Sequence, residues 1–176
     1  MRDSHNFKAM LKYGEEGEGL IARKLLRMGN VVQPLFQMSS NGAPRMLFEV
    51  SGRAASAVLP DLTCWNRAGK VYFVEVKRKR RWVNFHPRGP ETGFNLSHLD
   101  DYTAIQARTK APIVLTFIHE QQPPTGVFVG MLSRLATQVR RWDGLNCKTR
   151  ARVGKPEAFF PRSALTMRWT LDELLP

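Results

Sequence analysis

The chain has 176 residues, enough for one compact domain, and its 43% hydrophobic content can supply a core. Its 27 Lys and Arg stand against 15 Asp and Glu, and a net charge of +12 points to a polyanionic partner, nucleic acid ahead of an anionic membrane surface. No apolar run approaches the roughly 20 residues of a membrane-crossing helix. The opening MRDSHNFKAMLKYGEEGEG also lacks the apolar stretch of a secretory signal, so the expectation is a cytoplasmic protein, or one of the host cytoplasm if virus-encoded. Cys64 and Cys147 stand alone, without a CxxC partner or a His at ligand spacing, and read as buried reduced thiols rather than a zinc or disulfide framework.

In chain order, residues 8–28 predict a helix: Leu11, Leu20, Ile21, Leu25, Leu26 and Met28 recur near helical spacing and Gly29-Asn30 supplies a stop. Gly14, Gly17 and Gly19 are unusual there, because an interior Gly costs about 1 kcal/mol of helix propensity relative to Ala. Either another backbone or a phosphodiester chain approaches closely, or the helix begins near Gly17. The apolar runs at 31–36, 46–50, 57–65 and 70–77 predict strands of a mainly antiparallel meander, the last two joined through Asn66-Arg67-Ala68-Gly69. Pro60 marks an edge or a bulge, and a bulge would turn Asp61 toward the neighbouring strand.

Residues 84–93 predict a loop, 97–109 a helix and 111–118 a strand. The strand at 70–77, this helix and this strand then form a β-α-β unit with parallel strands, giving an α/β fold with a mixed sheet. Beyond Gln121-Gln122-Pro123-Pro124, the pattern predicts a short strand GVFVG, a basic helix over 131–142 and a cation-rich polar loop.

Chemistry concentrates at Pro60-Asp61 and Glu75-Val76-Lys77. Alternation on a strand puts Glu75 and Lys77 on one face and Val76 on the other. Glu75 ends the apolar run VYFVEV, where an unpaired carboxylate would be costly, and bringing Asp61 beside it requires a cation or a proton between them. Two carboxylates suit a hard divalent cation, and the neighbouring ammonium suits orienting a water or steadying phosphate charge. The alternative for Glu-x-Lys is a solvated structural ion pair.

With GEEGE in the first helix, Pro60-Asp61, Glu75-Val76-Lys77, and then a helix and an apolar strand, residues 10–120 resemble the PD-(D/E)xK nuclease superfamily, most closely its archaeal and phage-type Holliday junction resolvases. The resemblance implies a restriction-endonuclease-like core, a central mixed sheet flanked by helices, over 1–122, with 123–176 as a basic C-terminal extension packed on the same domain. It implies Mg²⁺ or Mn²⁺ held by Asp61, Glu75 and the main-chain carbonyl of Val76, with Lys77 positioning or helping to deprotonate the attacking water. The family's helical Glu four residues after a Gly matches Glu18 after Gly14, so Glu18 joins Asp61, Glu75 and Lys77 as a catalytic residue and a possible metal ligand. Glu15 and Glu16 are alternatives whose acidic first-turn reading is equally open. Related nucleases place a polar residue on the helix after this strand; His98, Asp101, Tyr102 and Gln106 are candidates, His98 first.

The run Lys77-Arg78-Lys79-Arg80-Arg81-Trp82 leads away from this trio, and Arg78, Lys79, Arg80 and Arg81 are expected to hold backbone phosphates. Trp82 could stack on a base, although core packing is the commoner fate of such a residue. In the last third Arg134, Arg140, Arg141, Lys148, Arg150, Arg152, Lys155, Arg162 and Arg168 outnumber Asp143, Glu157, Asp172 and Glu173. They suggest a second DNA-contacting surface, with Arg140 and Arg141 foremost.

The resulting expectation is a metal-dependent endonuclease of DNA recombination and repair that resolves four-way junctions as a homodimer, since two symmetric cuts call for two sites. The alternatives are a restriction- or repair-type nuclease acting on duplexes, flaps or ends, and a non-catalytic nucleic-acid-binding protein with a nuclease fold.

Overall fold

The computed structural model describes residues 2–35, 45–50, 53–85, 89–146, 149, 151 and 153–174, with side chains from residue 12 onward except in 45–55 and at 85. The elements in chain order are α1 (Arg2–Arg27), β1 (Val31–Pro34), β2 (Arg45–Val50), β3 (Arg53–Val58), β4 (Leu62–Trp65), β5 (Val71–Lys79), β6 (Val83–Phe85) and β7 (Gly89–Asn95). There follow α2 (Leu96–Thr109), β8 (Ile113–His119), β9 (Gly126–Met131), the single-turn α3 (Leu132–Leu135), β10 (Arg140–Trp142), β11 (Glu157–Pro161), a 3₁₀ turn (Arg162–Ala164) and β12 (Thr166–Trp169). Phe36, Cys147, Lys148, Arg150 and Arg152, which carried sequence-based expectations, lie outside the described residues.

Six strands form the main sheet in the order β1-β4-β5-β8-β9-β12. β5 and β8 run parallel across the α2 crossover and the other neighbours pair antiparallel, so the expected α/β fold with a central mixed sheet and flanking helices is the one observed. β5 is buried between two neighbours, and its alternation divides the core. Phe73 joins Leu99, Tyr102, Ile105, Leu115 and Phe117 on the α2 face. Val74 and Val76 pack with Ile21, Ala22 and Leu25 of α1 on the other. α1 ends where Gly29 adopts φ 82°, a left-handed turn, and Asn30 Nδ2 donates to Leu25 O at 2.9 Å. Among the described residues no helix is long and apolar enough to cross a membrane.

Three expectations are corrected. The chain at 46–50 belongs to a separate β2–β3 hairpin instead of the main meander. Residues 84–93, read as a loop, contribute β6 and β7 to a second, four-stranded sheet of order β10-β11-β7-β6. Glycine is needed at Gly93 because a Cβ would collide with the carbonyl oxygen of Ala158 on β11. The helix predicted over 131–142 is one turn only: Thr137 Oγ1 donates to Arg134 O at 2.8 Å, and Arg140–Trp142 then pairs antiparallel with β11. Residues after 122 thus supply β9 and β12 to the main sheet and β10 and β11 to the second, and Ala158 and Phe160 enter the α2-side core.

Candidate active site

Pro60 lacks an N–H and lies buried between β3 and β4, so the strand direction breaks there and resumes at Leu62, opposite Val74. That break leaves Asp61 beside the middle of β5. Its Oδ2 accepts the main-chain N–H of Val76 at 2.7 Å and lies 3.9 Å from Lys77 Nζ, while Lys77 Nζ also forms an ion pair with Glu75 Oε1. Glu75 is 1% exposed, and neither of its oxygens accepts a well-formed hydrogen bond. Around it stand the Lys77 ammonium, the Asp61 carboxylate and the Tyr102 hydroxyl.

Electrostatics follow from this crowding. Burial, then the charge of Glu75, pushes the Asp61 carboxyl up to about 7, although Lys77 and the Val76 N–H pull the other way. Burial alone would lower Lys77, but Glu75 and Asp61 hold its ammonium above the ordinary lysine range. Glu18, on α1, is pushed up to about 7 by burial and then by Asp61, so its carboxyl shares this field. Glu18 lines a groove of about 420 Å³ with Tyr13, Gly14, the β5 residues Val76 to Lys79 and Arg80 just beyond them.

The four helix candidates separate clearly. Tyr102 is 1% exposed, and burial followed by the charges of Glu75 and Asp61 raises its phenol well above the usual range. His98 stands one turn behind, its Nδ1 3.4 Å from the Tyr102 hydroxyl. Asp101 accepts Val58 N–H at 3.1 Å and Gln106 accepts Ile113 N–H at 3.1 Å, tying α2 to the sheet. Tyr102, named only as one of four, is the residue the fold sets against Glu75. The signal available was its position at i+4 from His98, on one face of a helix that covers this side of the sheet.

A donor set of two adjoining carboxylates, the buried Glu75 balanced only by the Lys77 ammonium and the Tyr102 hydroxyl, fits a hard cation that keeps several waters. Among the described residues no three His, Cys, Asp or Glu side chains converge at metal-ligand spacing. Glu18 approaches the pair from α1, close enough for its carboxyl to feel the charges of Asp61 and Lys77.

The basic residues fall into two groups. Arg78 turns inward: Nε donates to Glu120 Oε1 at 2.8 Å, Nη1 donates to Glu16 Oε2 at 2.9 Å and Tyr13 O at 3.2 Å, and the guanidinium covers the Tyr13 ring at 3.9 Å. Arg140 likewise pairs through Nε with the fully buried Glu91 at 2.8 Å and covers Phe159, and Arg141 meets Asp100 at 3.2 Å. Lys79 is half-buried on the same face as Lys77, whereas Arg80 and Arg81 are exposed. Trp82 is core: it is 4% exposed, stacks on His119 with centroids 3.7 Å apart and donates to Pro124 O. Of the expected phosphate contacts, Arg78 and Arg140 are spent on internal pairs because their partners, distant in sequence, are brought to them by the fold.

No family model matches the chain, and no curated protein sequence does. Among solved structures, the fold is similar to that of Archaeoglobus fulgidus Hjc, a Holliday junction resolvase from an archaeal hyperthermophile, with a TM-score of 0.50 and 10% identity over 86% of this chain and 90% of that one. At this identity the likeness is one of fold: a central mixed sheet flanked by helices.

Proposed function

We propose that the protein is a divalent-metal-dependent endonuclease that cuts branched DNA, four-way junctions foremost, as a homodimer. The observation that carries this reading is the convergence of Asp61, Glu75 and Lys77 beside a groove lined by Lys77, Arg78, Lys79 and Arg80. Asp61 and Glu75, with the carbonyl of Val76, would hold Mg²⁺ or Mn²⁺. Such an ion, when bound, lowers the pKa of a water and polarises the phosphoryl oxygen. Lys77 orients that water and meets the charge developing on phosphorus-bound oxygen. Water oxygen bonds to phosphorus as the bond to the 3′ oxygen breaks in line, leaving a 5′-phosphate and a proton on the 3′-hydroxyl. The Val76 N–H holds Asp61 in place, and Tyr102 closes the far side of Glu75 against solvent.

A second reading, binding without cleavage, draws on the Lys77–Glu75 ion pair, which already compensates one buried carboxylate. One assay separates them. A labelled synthetic junction and a linear duplex of the same arm sequence are incubated with Mg²⁺ or EDTA. Paired nicks confined to the junction and lost in EDTA support the proposal, and duplex digestion favours a restriction- or repair-type enzyme. EDTA-resistant binding without product under any divalent ion favours the pure binder.

A further inference from the structure

Of the glycines that interrupt α1, one is explained by its neighbours. A Cβ on Gly17 would meet the Arg78 side chain at 3.3 Å and Ile118 at 3.5 Å, so glycine there lets α1 settle on β5. A Cβ on Gly19 would meet the tip of Arg23 at 3.5 Å, an ordinary van der Waals contact that does not require glycine. Gly14 differs: among the described residues nothing lies within 4 Å of where its Cβ would be, and the residue lines the groove. Packing among the described residues therefore gives no reason for glycine, the residue that most weakens a helix after proline, at this position.

The groove supplies a reason. Gly14 sits one turn before Glu18, about 6 Å along the helix, a displacement comparable to the step between successive phosphates of a nucleic-acid strand. Across from it run Lys77, Lys79 and Arg80, with Arg80 exposed and 5.5 Å above the Tyr13 ring. Glu18, which feels the charge of Asp61, lines the groove together with these cations.

We propose that the groove between Gly14 of α1 and Lys79 and Arg80 at the end of β5 is a second phosphate subsite, which seats the phosphodiester next to the scissile one against the bare helix backbone. It rests on the nuclease reading, since that reading fixes where the scissile phosphate lies. Gly14 gives the sugar-phosphate room to approach α1, and Lys79 and Arg80 neutralise its charge. Binding energy gathered one nucleotide away then positions the reacting phosphate over Asp61 and Glu75.

The test uses Gly14→Ala, Gly14→Leu, Lys79→Met and Arg80→Met in the full chain, with thermal unfolding, cleavage of a synthetic junction with Mg²⁺, and anisotropy of that junction without divalent ions. Gly14→Ala is expected to unfold at a higher temperature than wild type yet bind and cut more weakly. Gly14→Leu is expected to lose about tenfold or more in both. Lys79→Met and Arg80→Met are each expected to lower the slope of log affinity against log salt by about one. If wild type cuts and Gly14→Leu binds and cuts equally well, the subsite is overturned and the nuclease reading stands. If wild type cuts nothing while Gly14→Leu still loses binding, the nuclease reading falls and takes with it the placement beside a scissile phosphate, leaving Gly14 in a nucleic-acid-binding groove.

Discussion

The main-chain N–H of Val76 donates to Asp61 Oδ2 at 2.7 Å, across the gap between the Pro60 break and the centre of β5. This bond joins the two short motifs into one site. It fixes one Asp61 oxygen while the carboxyl stays within direct reach of Glu75. Their mutual repulsion is held by Lys77, whose ammonium lies between them.

Asp61→Asn and Glu75→Gln keep the shape of this arrangement and remove its charge. Each is expected to abolish metal-dependent cleavage while DNA affinity stays equal or increases, because a carboxylate facing a polyanion is lost. Gel assays of nicking and anisotropy on the same junction check this together. Wild-type cleavage in either variant would remove the residue from the metal site.

The central trio was legible because its logic is local: alternation along one strand, an apolar run ending in a carboxylate, and a proline that breaks the preceding strand. The parallel pairing of β5 and β8 was legible for a similar reason, through the length of the α2 crossover. What was hidden depends on contacts far apart in sequence. Arg78 meets Glu16 and Glu120 at separations of 62 and 42 residues, and Arg140 meets Glu91 at 49. A run of cations reads as a surface until such partners are in place. Gly93 likewise reads as a turn until Ala158 is seen against it, and the choice of Tyr102 over His98 needed the rotation of α2 on the sheet.

Lys77→Met should destabilise the protein in the absence of divalent ions by about 3 kcal/mol, because it leaves the buried Glu75 carboxylate without its counter-ion. Adding Glu75→Gln should recover much of that loss. Urea unfolding of the two single variants and the double variant forms the cycle, and purely additive losses would show that the pair is not coupled.

Tyr102→Phe removes a hydroxyl between His98 and Glu75 and changes almost no volume. Cleavage is expected to fall roughly tenfold, as when an outer partner of a ligand is lost, with little change in DNA affinity. His98→Ala should have a smaller effect in the same direction, since His98 touches only the outer side of that hydroxyl. Equal rates for Tyr102→Phe and wild type would make Tyr102 a packing residue.

Arg78→Ala should loosen the seating of α1 on β5 and cost roughly 2 kcal/mol, the scale of hydrogen bonds to charged groups. Hydrogen exchange in residues 12–27 should quicken, and Arg78→Lys should not restore protection because one ammonium cannot reach Glu16, Glu120 and the Tyr13 carbonyl from a planar fork. The salt slope of DNA binding should stay that of wild type, in contrast to Arg80 variants. A shallower slope for Arg78→Ala would return Arg78 to the phosphate-contacting group.

His119 offers a pH test away from the carboxylates. It is fully buried, stacked on Trp82, with Nε2 3.1 Å from Thr92 Oγ1. Burial, then the charges of Lys79 and Arg162, lowers its pKa from 6.5 to about 4. Between those values the unfolded chain binds the proton and the folded one does not, so stability falls as pH drops from about 6.5 toward 4, by roughly 3 kcal/mol when complete. Asp61 and Glu18, raised to about 7, act oppositely: the folded chain holds their protons longer, and their contribution falls as pH rises from about 4 to 7. Wild type shows the sum, and His119→Phe, which keeps a ring over Trp82, isolates one part. Urea unfolding at about pH 7.5 and about pH 4.5 should show the variant losing less stability on acidification than wild type. An equal or larger loss in the variant would mean that His119 is not held neutral by the fold.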